Sequence, residues 1–242
     1  MTDIADDSPA RVVLEGPGKN ALSTTVMSRA LAEVRAAGSR PLMLTGAGDA
    51  FSAGLNLKEL ATLDAAGMRG FLGVLGELVK ALFLHPGPTV ALVNGHAIAG
   101  GAILALTCDY RVSKNDPAVR IGLNETAIGL EFPPAILRLV RARISPHAVD
   151  RVVLEAGLHP PHEAVRLGLI DEAADDAAAT ADAKIAALSR HPRPTYASAK
   201  RVLRSGLLDE TQAEITRFDE EVVPLWASDE LKQRIASVLL RR

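Results

Sequence analysis

Through residues 1–170, short runs of branched apolar residues alternate with longer stretches whose apolar positions recur at helical spacing. Arg11–Glu15, Pro41–Thr45, Thr89–Val93, Asp109–Ser113 and Val119–Ile121 are short, rich in branched residues and bounded by Gly, Pro or Asp, which predicts strands. Ser23–Ala37 reads as a helix capped by Ser23, with Leu31 and Val34 among its apolar positions. Met68–Leu84 keeps the helical period and stops before the breaker His85-Pro86-Gly87-Pro88. Strands and helices in alternation predict an α/β core. From Pro133 onward the pattern is almost all helical, punctuated at Ser145-Pro146, His159-Pro160-Pro161 and His191-Pro192-Arg193-Pro194, with one short strand expected at Leu169–Asp171. The alanine-rich Asp175–Leu188 is a strong helix former. A soft boundary near 190 separates a core region, 1–190, from a helical region, 191–242.

Composition narrows the class. A chain of 242 residues can bury a substantial core in one large domain, and 48% hydrophobic with 23% charged residues is ordinary for a soluble globular protein. The net charge of −2 gives no overall field favouring nucleic acid or an anionic membrane. The single cysteine, Cys108, excludes an intrachain disulfide framework and leaves no cysteine cluster for zinc. Met1–Asp7 is acidic and polar, unlike a secretory signal or an arginine-rich presequence, and Leu240-Arg241-Arg242 is unlike a peroxisomal Ser-Lys-Leu ending. No run of 18 apolar residues spans a bilayer. The expectation is a cytoplasmic protein that binds neither nucleic acid nor membrane.

Three segments carry candidate chemistry. Gly46-Ala47-Gly48-Asp49 forms a turn, and Phe51–Gly54 then leads into a helix beginning around Asn56; Gly54 permits close approach of another molecule, so the Ala53 amide is free to face a cleft. Gly100-Gly101 opens the apolar helix Ala102–Thr107, whose first amides lack internal acceptors and carry the positive end of the helix dipole. Ile121-Gly122-Leu123-Asn124-Glu125 places one carboxylate among apolar neighbours, where desolvation raises its pKa towards general-base range. A plain strand-to-helix loop, tight helix packing and a helix-terminal carboxylate are the structural alternatives for the three. Together they suit enolate chemistry, with one group taking a proton beside a carbonyl and two donors holding the oxyanion.

Ala53-Gly54-Leu55-Asn56-Leu57, Asn94–Asp109 and Ile121–Gly129 resemble the signature segments of the enoyl-CoA hydratase/isomerase (crotonase) superfamily, in order and spacing from about residue 11 to 172. Ala99-Gly100-Gly101, Ala105–Arg111, Ile121–Thr126, Pro160–Ala164 and Gly168–Asp171 are most similar to the mitochondrial-type Δ3,Δ2-enoyl-CoA isomerases. The resemblance implies a spiral of β-β-α turns with a helical C-terminal region, and trimers or dimers of trimers. It also implies an oxyanion hole from the amides of Ala53 and Gly100, an acyl-CoA thioester lined by Ala53, Gly54, Leu55, Asn56 and Leu57, and Asn124 beside a catalytic Glu125. Coenzyme A would be part of the substrate, with no separate cofactor and no metal.

Hydratases of the superfamily use two glutamates; the second matches Glu125 and the first falls on Ile103. Three residues after Gly100 on one helix, Ile103 is expected to face the same cleft, where it can neither orient nor deprotonate water. A double-bond shift needs one base only, so the expected activity is conversion of 3-enoyl-CoA to trans-2-enoyl-CoA, in fatty acid β-oxidation. A hydratase or other CoA-thioester enzyme, with Glu131 or a bound water replacing the missing acid, is the alternative; a non-catalytic CoA-binding scaffold is the alternative of another class. His96 reads as wall or packing, Cys108 as a small core residue, Asp109 as a backbone hydrogen-bonding group, and Ser52 lacks a triad. Lys58, Lys200, Arg201, Arg204 and Lys232 are either solvated or contacts for CoA phosphates.

Overall fold

The computed structural model describes residues 8–240; Met1–Asp7, Arg241 and Arg242, on which the targeting expectations rest, lie outside the described residues. The chain starts with β1 (Ala10–Leu14), the distorted turn α1 (Pro17–Asn20) and α2 (Thr24–Ala37). Three strand–strand–helix turns follow. The first is β2 (Leu42–Gly46), β3 (Ala50–Ser52), α3 (Leu57–Leu60) and α4 (Ala65–Phe83); the second is β4 (Thr89–Val93), β5 (His96–Ile98) and α5 (Gly100–Thr107). The third is β6 (Tyr110–Lys114), β7 (Ile121–Gly122) and α6 (Glu125–Ile128). Then come α7 (Pro134–Arg143), a 3₁₀ turn at Pro146–Ala148, α8 (Val149–Leu154), α9 (Pro161–Leu167), β8 (Glu172–Ala174) and α10 (Ala177–Leu188). The C-terminal helices are α11 (Arg193–Arg204), α12 (Gln212–Arg217), a π-helical segment Phe218–Val222, α13 (Val223–Trp226) and α14 (Asp229–Leu240).

Each turn adds one strand to each of two parallel sheets, β1-β2-β4-β6-β8 and β3-β5-β7. β2 and β4 are buried along their whole length, as parallel strands covered on both faces must be, which explains their continuous apolar runs. The α2 cap is as expected, the Ser23 hydroxyl accepting from the Val26 amide at 3.1 Å. The late strand is not where the sequence pattern put it. Gly168, at φ +79°, ends α9 in a left-handed cap, and the amides of Leu169 and Ile170 turn back onto the Ala164 carbonyl. Pairing therefore starts only at Glu172. β3 and β5 went unpredicted because three residues are too few to show a period.

The C-terminal helices share the main core, which takes in Val222, Val223, Trp226, Leu231 and Ile235. α11 is held down by charge. Lys200 and Arg204 are not on a solvated face: both are buried and pair with Asp109 at 2.8 and 2.6 Å, while Tyr196 donates to the same carboxylate at 2.7 Å. Lys200 also donates to the Gly87 carbonyl, and Arg204 to the carbonyls of Phe83 and Thr107. Asp109 has its backbone bond too, accepting from the Thr89 amide at 2.8 Å. The two cations hold its carboxyl below the usual range against the opposing effect of burial, and burial brings Lys200 down to about 8. Among the described residues, no helix is long and apolar enough to cross a membrane.

Candidate active site

β3, β5 and β7 are adjacent and parallel, so the chain leaves all three at one edge of the small sheet. Such carboxyl-end crevices are where open α/β sheets bind ligands. A cavity of about 20 Å³ lies there, lined by Ala53, Leu55 and Leu57 after β3, Ala99 after β5, and Asn124, Glu125, Ile128 and Leu130 after β7. Val238 of α14 closes it. Close approach sets the local sequence: a Cβ on Gly54, which sits at φ +86°, would come within 2.7 Å of the Ile98 carbonyl oxygen. A Cβ on Gly101 would come within 2.6 Å of the Ser52 carbonyl oxygen, so this glycine serves the packing of α5 on β3.

Glu125 opens α6 and is only 5% exposed. Among the described residues it is the one ionisable residue lining the cavity, and its Oε2 has no hydrogen-bond partner among them. Burial pushes its carboxyl up to about 8, offset in part by a hydrogen bond from its own backbone amide. The neighbouring Asn124 Oδ1 is likewise buried and unpartnered, aligning a second acceptor with the same cavity.

The expected donor pair needs one correction. The Ala53 amide is occupied, donating to the Lys19 carbonyl at 2.9 Å, and the Gly54 amide donates to Ser52 Oγ at 3.2 Å. Two residues further on, Leu22 pairs in parallel with Leu55. Its amide donates to the Gly54 carbonyl at 2.8 Å and its carbonyl accepts from the Asn56 amide at 3.0 Å. Backbone alternation turns the Leu55 amide to the opposite side, and no acceptor for it is found among the described residues. Gly100 is the first residue of α5, so its amide has no intrahelical acceptor. Its N lies 3.4 Å from the position of a Cβ on Gly54, which places the two loops side by side. The preceding Ala99 is held at φ +50°, a costly conformation for a residue with a side chain, and this aims the start of α5. Leu55 and Gly100 thus carry amides with no acceptor among the described residues, and Ala53 contributes only wall.

Other candidates fall into place. The Asn56 side chain caps α3 by accepting from the amides of Lys58 and Glu59, so it is engaged away from the cavity. Ile103 is buried in the main core and is not a lining residue; Ala99 takes the wall position expected for it. Glu131 is exposed and pairs with Arg217 at 3.1 Å, outside the cavity. His96 Nδ1 accepts from the Arg120 amide, Ser52 Oγ donates to the Asn20 carbonyl, and burial pushes the Cys108 thiol up to about 11. Lys58 is exposed. Sequence reasoning missed Val238, whose helix carries no signal of its destination, and the strain at Ala99.

Comparison with known proteins identifies the family and the fold. The sequence profile described as enoyl-CoA hydratase/isomerase matches residues 6–234. The human mitochondrial enoyl-CoA delta isomerase 1 is 33% identical over 174 residues, 69% of this chain and 58% of the relative; the rat protein is 30% identical over 69% of this chain and 60% of the relative. The chain thus spans about three fifths of these relatives' length. A probable enoyl-CoA hydratase of Mycobacterium avium is 33% identical over 202 residues, 81% of this chain and 77% of the relative. The crystal structure of human mitochondrial Δ3,Δ2-enoyl-CoA isomerase superposes with a TM-score of 0.87 at 27% identity, covering 98% of this chain and 95% of the other. An enoyl-CoA hydratase from Bacillus halodurans gives 0.82 at 26% identity, covering 94% and 95%. The fold is the crotonase fold.

Proposed function

The chain belongs to the enoyl-CoA hydratase/isomerase family, whose members act on acyl-CoA thioesters, and on that premise we propose that it is a Δ3,Δ2-enoyl-CoA isomerase. The observation that carries this reading is the solitary acid: among the described residues, no second ionisable side chain lines the cavity that holds Glu125. Glu125, as carboxylate, takes a proton from C2 of a 3-enoyl-CoA. The C–H electrons form the C1–C2 double bond of a dienolate as the carbonyl π electrons move onto the thioester oxygen. The amides of Leu55 and Gly100 hold that oxygen, each donor worth roughly 2.7–4 kcal/mol. The same carboxyl then returns its proton at C4: the C3–C4 π electrons form the new C–H bond, the C1–C2 pair shifts to C2–C3, the carbonyl re-forms, and trans-2-enoyl-CoA results. Apolar walls at Leu57, Ile128 and Val238 keep bulk water from the intermediate.

The reading needs no metal and no cofactor beyond the coenzyme A of the substrate, and it takes a cytoplasmic homotrimer or dimer of trimers as the assembly. Hydration is the second reading, favoured by hydratase relatives of comparable identity. A side-by-side assay separates the two. The isomerase reading predicts turnover of a 3-enoyl-CoA and poor hydration of crotonyl-CoA, with Glu125→Gln slowing isomerisation at least about 10²-fold while CoA-ester binding survives. Fast hydration with slow isomerisation reverses the order.

A further inference from the structure

The cavity beside Glu125, at about 20 Å³, holds about one water and cannot take an acyl chain. A second cavity, of about 370 Å³, opens between α4, the start of α7 and the π-helical segment, within the size range of ligand pockets. Its walls include Leu72, Val79, Ile136 and Phe218. The two voids are neighbours along the chain: Leu130 lines the first and Pro133 the second, a separation of three residues and at most about 11 Å.

Two further features keep the larger void open. α4 carries Gly73 and Gly76 on the cavity side, and a Cβ at either position would meet nothing within 4 Å. Glycine inside a helix is destabilising relative to alanine, and no close contact within this chain requires it at these two positions. What the missing side chains leave is space. Opposite, the cavity is walled by Phe218 and Asp219 of the π-helical segment, a rare conformation that is frequent at functional sites. Asp219 is tied to Arg69 at 3.5 Å, and Glu77, paired with Arg35 at 2.8 Å, Lys80 and Glu210 also line the cavity beside its apolar walls.

We propose that this cavity takes the distal part of the substrate's acyl chain, led past Leu130 and Pro133, and that Gly73 and Gly76 set the chain length accepted. The ligand class is a medium- or long-chain acyl-CoA. At about 30 Å³ per methylene, close to the share of a liquid water, the void admits on the order of a dozen carbons. The proposal rests on the acyl-CoA reading of the site and does not depend on which reaction Glu125 performs.

The test uses saturated thioesters, which bind without reacting. Calorimetric Kd values are measured for hexanoyl-CoA and dodecanoyl-CoA with the wild type, Gly73→Leu, Gly76→Leu and, as a control off the cavity wall, Gly70→Ala. The wild type and Gly70→Ala should prefer dodecanoyl-CoA by more than about tenfold. Gly73→Leu and Gly76→Leu should each remove about tenfold of that preference, the loss expected when some two methylenes go unburied. Leucine is the better helix former, so neither variant should melt below the wild type. Equal binding of the two thioesters by the wild type, or a preference intact in both leucine variants, overturns the proposal, as does failure to bind either thioester. A preference that behaves as stated in a protein that leaves 3-enoyl-CoA unchanged would keep the cavity assignment and discard the isomerase reading.

Discussion

Burying a carboxyl group with no countercharge costs stability whenever that group ionises, and Glu125 carries this cost. Its folded pKa of about 8 lies above the ordinary 4.5, so the folded state holds the proton more tightly than the unfolded state does. Below pH 4.5 both states are protonated and there is no penalty. Stability falls as pH rises from 4.5 to 8 and the penalty is constant above that. Glutamine at this position does not ionise. Glu125→Gln should therefore be more stable than the wild type, by about 3 kcal/mol at pH 7, with the gain absent near pH 4. Denaturant titrations at both pH values check this; a gain independent of pH would place the carboxylate in a solvated or paired setting. The acid itself was legible in the sequence, because Gly122, Leu123, Ala127 and Ile128 around it announce an apolar setting. The identity of the free amide was not. Whether Ala53 or Leu55 faces the cavity is decided by pairing with Lys19 and Leu22, residues far upstream whose register no local pattern reveals.

Elements meet in this fold for two different reasons. The three site loops converge because their strands are parallel neighbours, and the alternating pattern of the sequence contained that much: long strands, glycine-opened helices and their order were all readable. The short strands β3 and β5 were not, although they are what bring the loops to one edge. α11, by contrast, is fastened by ions. On sequence alone Lys200 and Arg204 fit a solvated helix face equally well, since their partner Asp109 lies about ninety residues away. Asp109→Ala would leave both cations buried without a carboxylate, at a cost of about 3–5 kcal/mol, or roughly 10 °C in melting temperature. Lys200→Met should cost less, because Arg204 and Tyr196 still satisfy Asp109. Thermal melts rank the two; equal or reversed losses would show that the ion cluster does not anchor the helix.

At the scale of the whole molecule, the end of the chain completes what its middle begins. α14 brings Val238 over the cavity, and Leu231 and Ile235 fix that helix in the core, so Glu125 is desolvated by a segment more than a hundred residues away. Family resemblance predicted a helical C-terminal region, yet nothing in the pattern of 229–240 says which surface it covers. That cover bears directly on the chemistry. It shuts out water, keeps the carboxyl near the operating pH of a cell, where a general base is most effective, and leaves one acid alone with two free amides. The most direct test is the pH dependence of kcat/KM for isomerisation of a 3-enoyl-CoA, which reports the ionisation of the free enzyme's base. A single buried base predicts a rate that climbs with pH to a plateau, with an apparent pKa near 8, and a climb that vanishes with the activity in Glu125→Gln. A profile already flat from pH 5 upward, or one unchanged in Glu125→Gln, contradicts it.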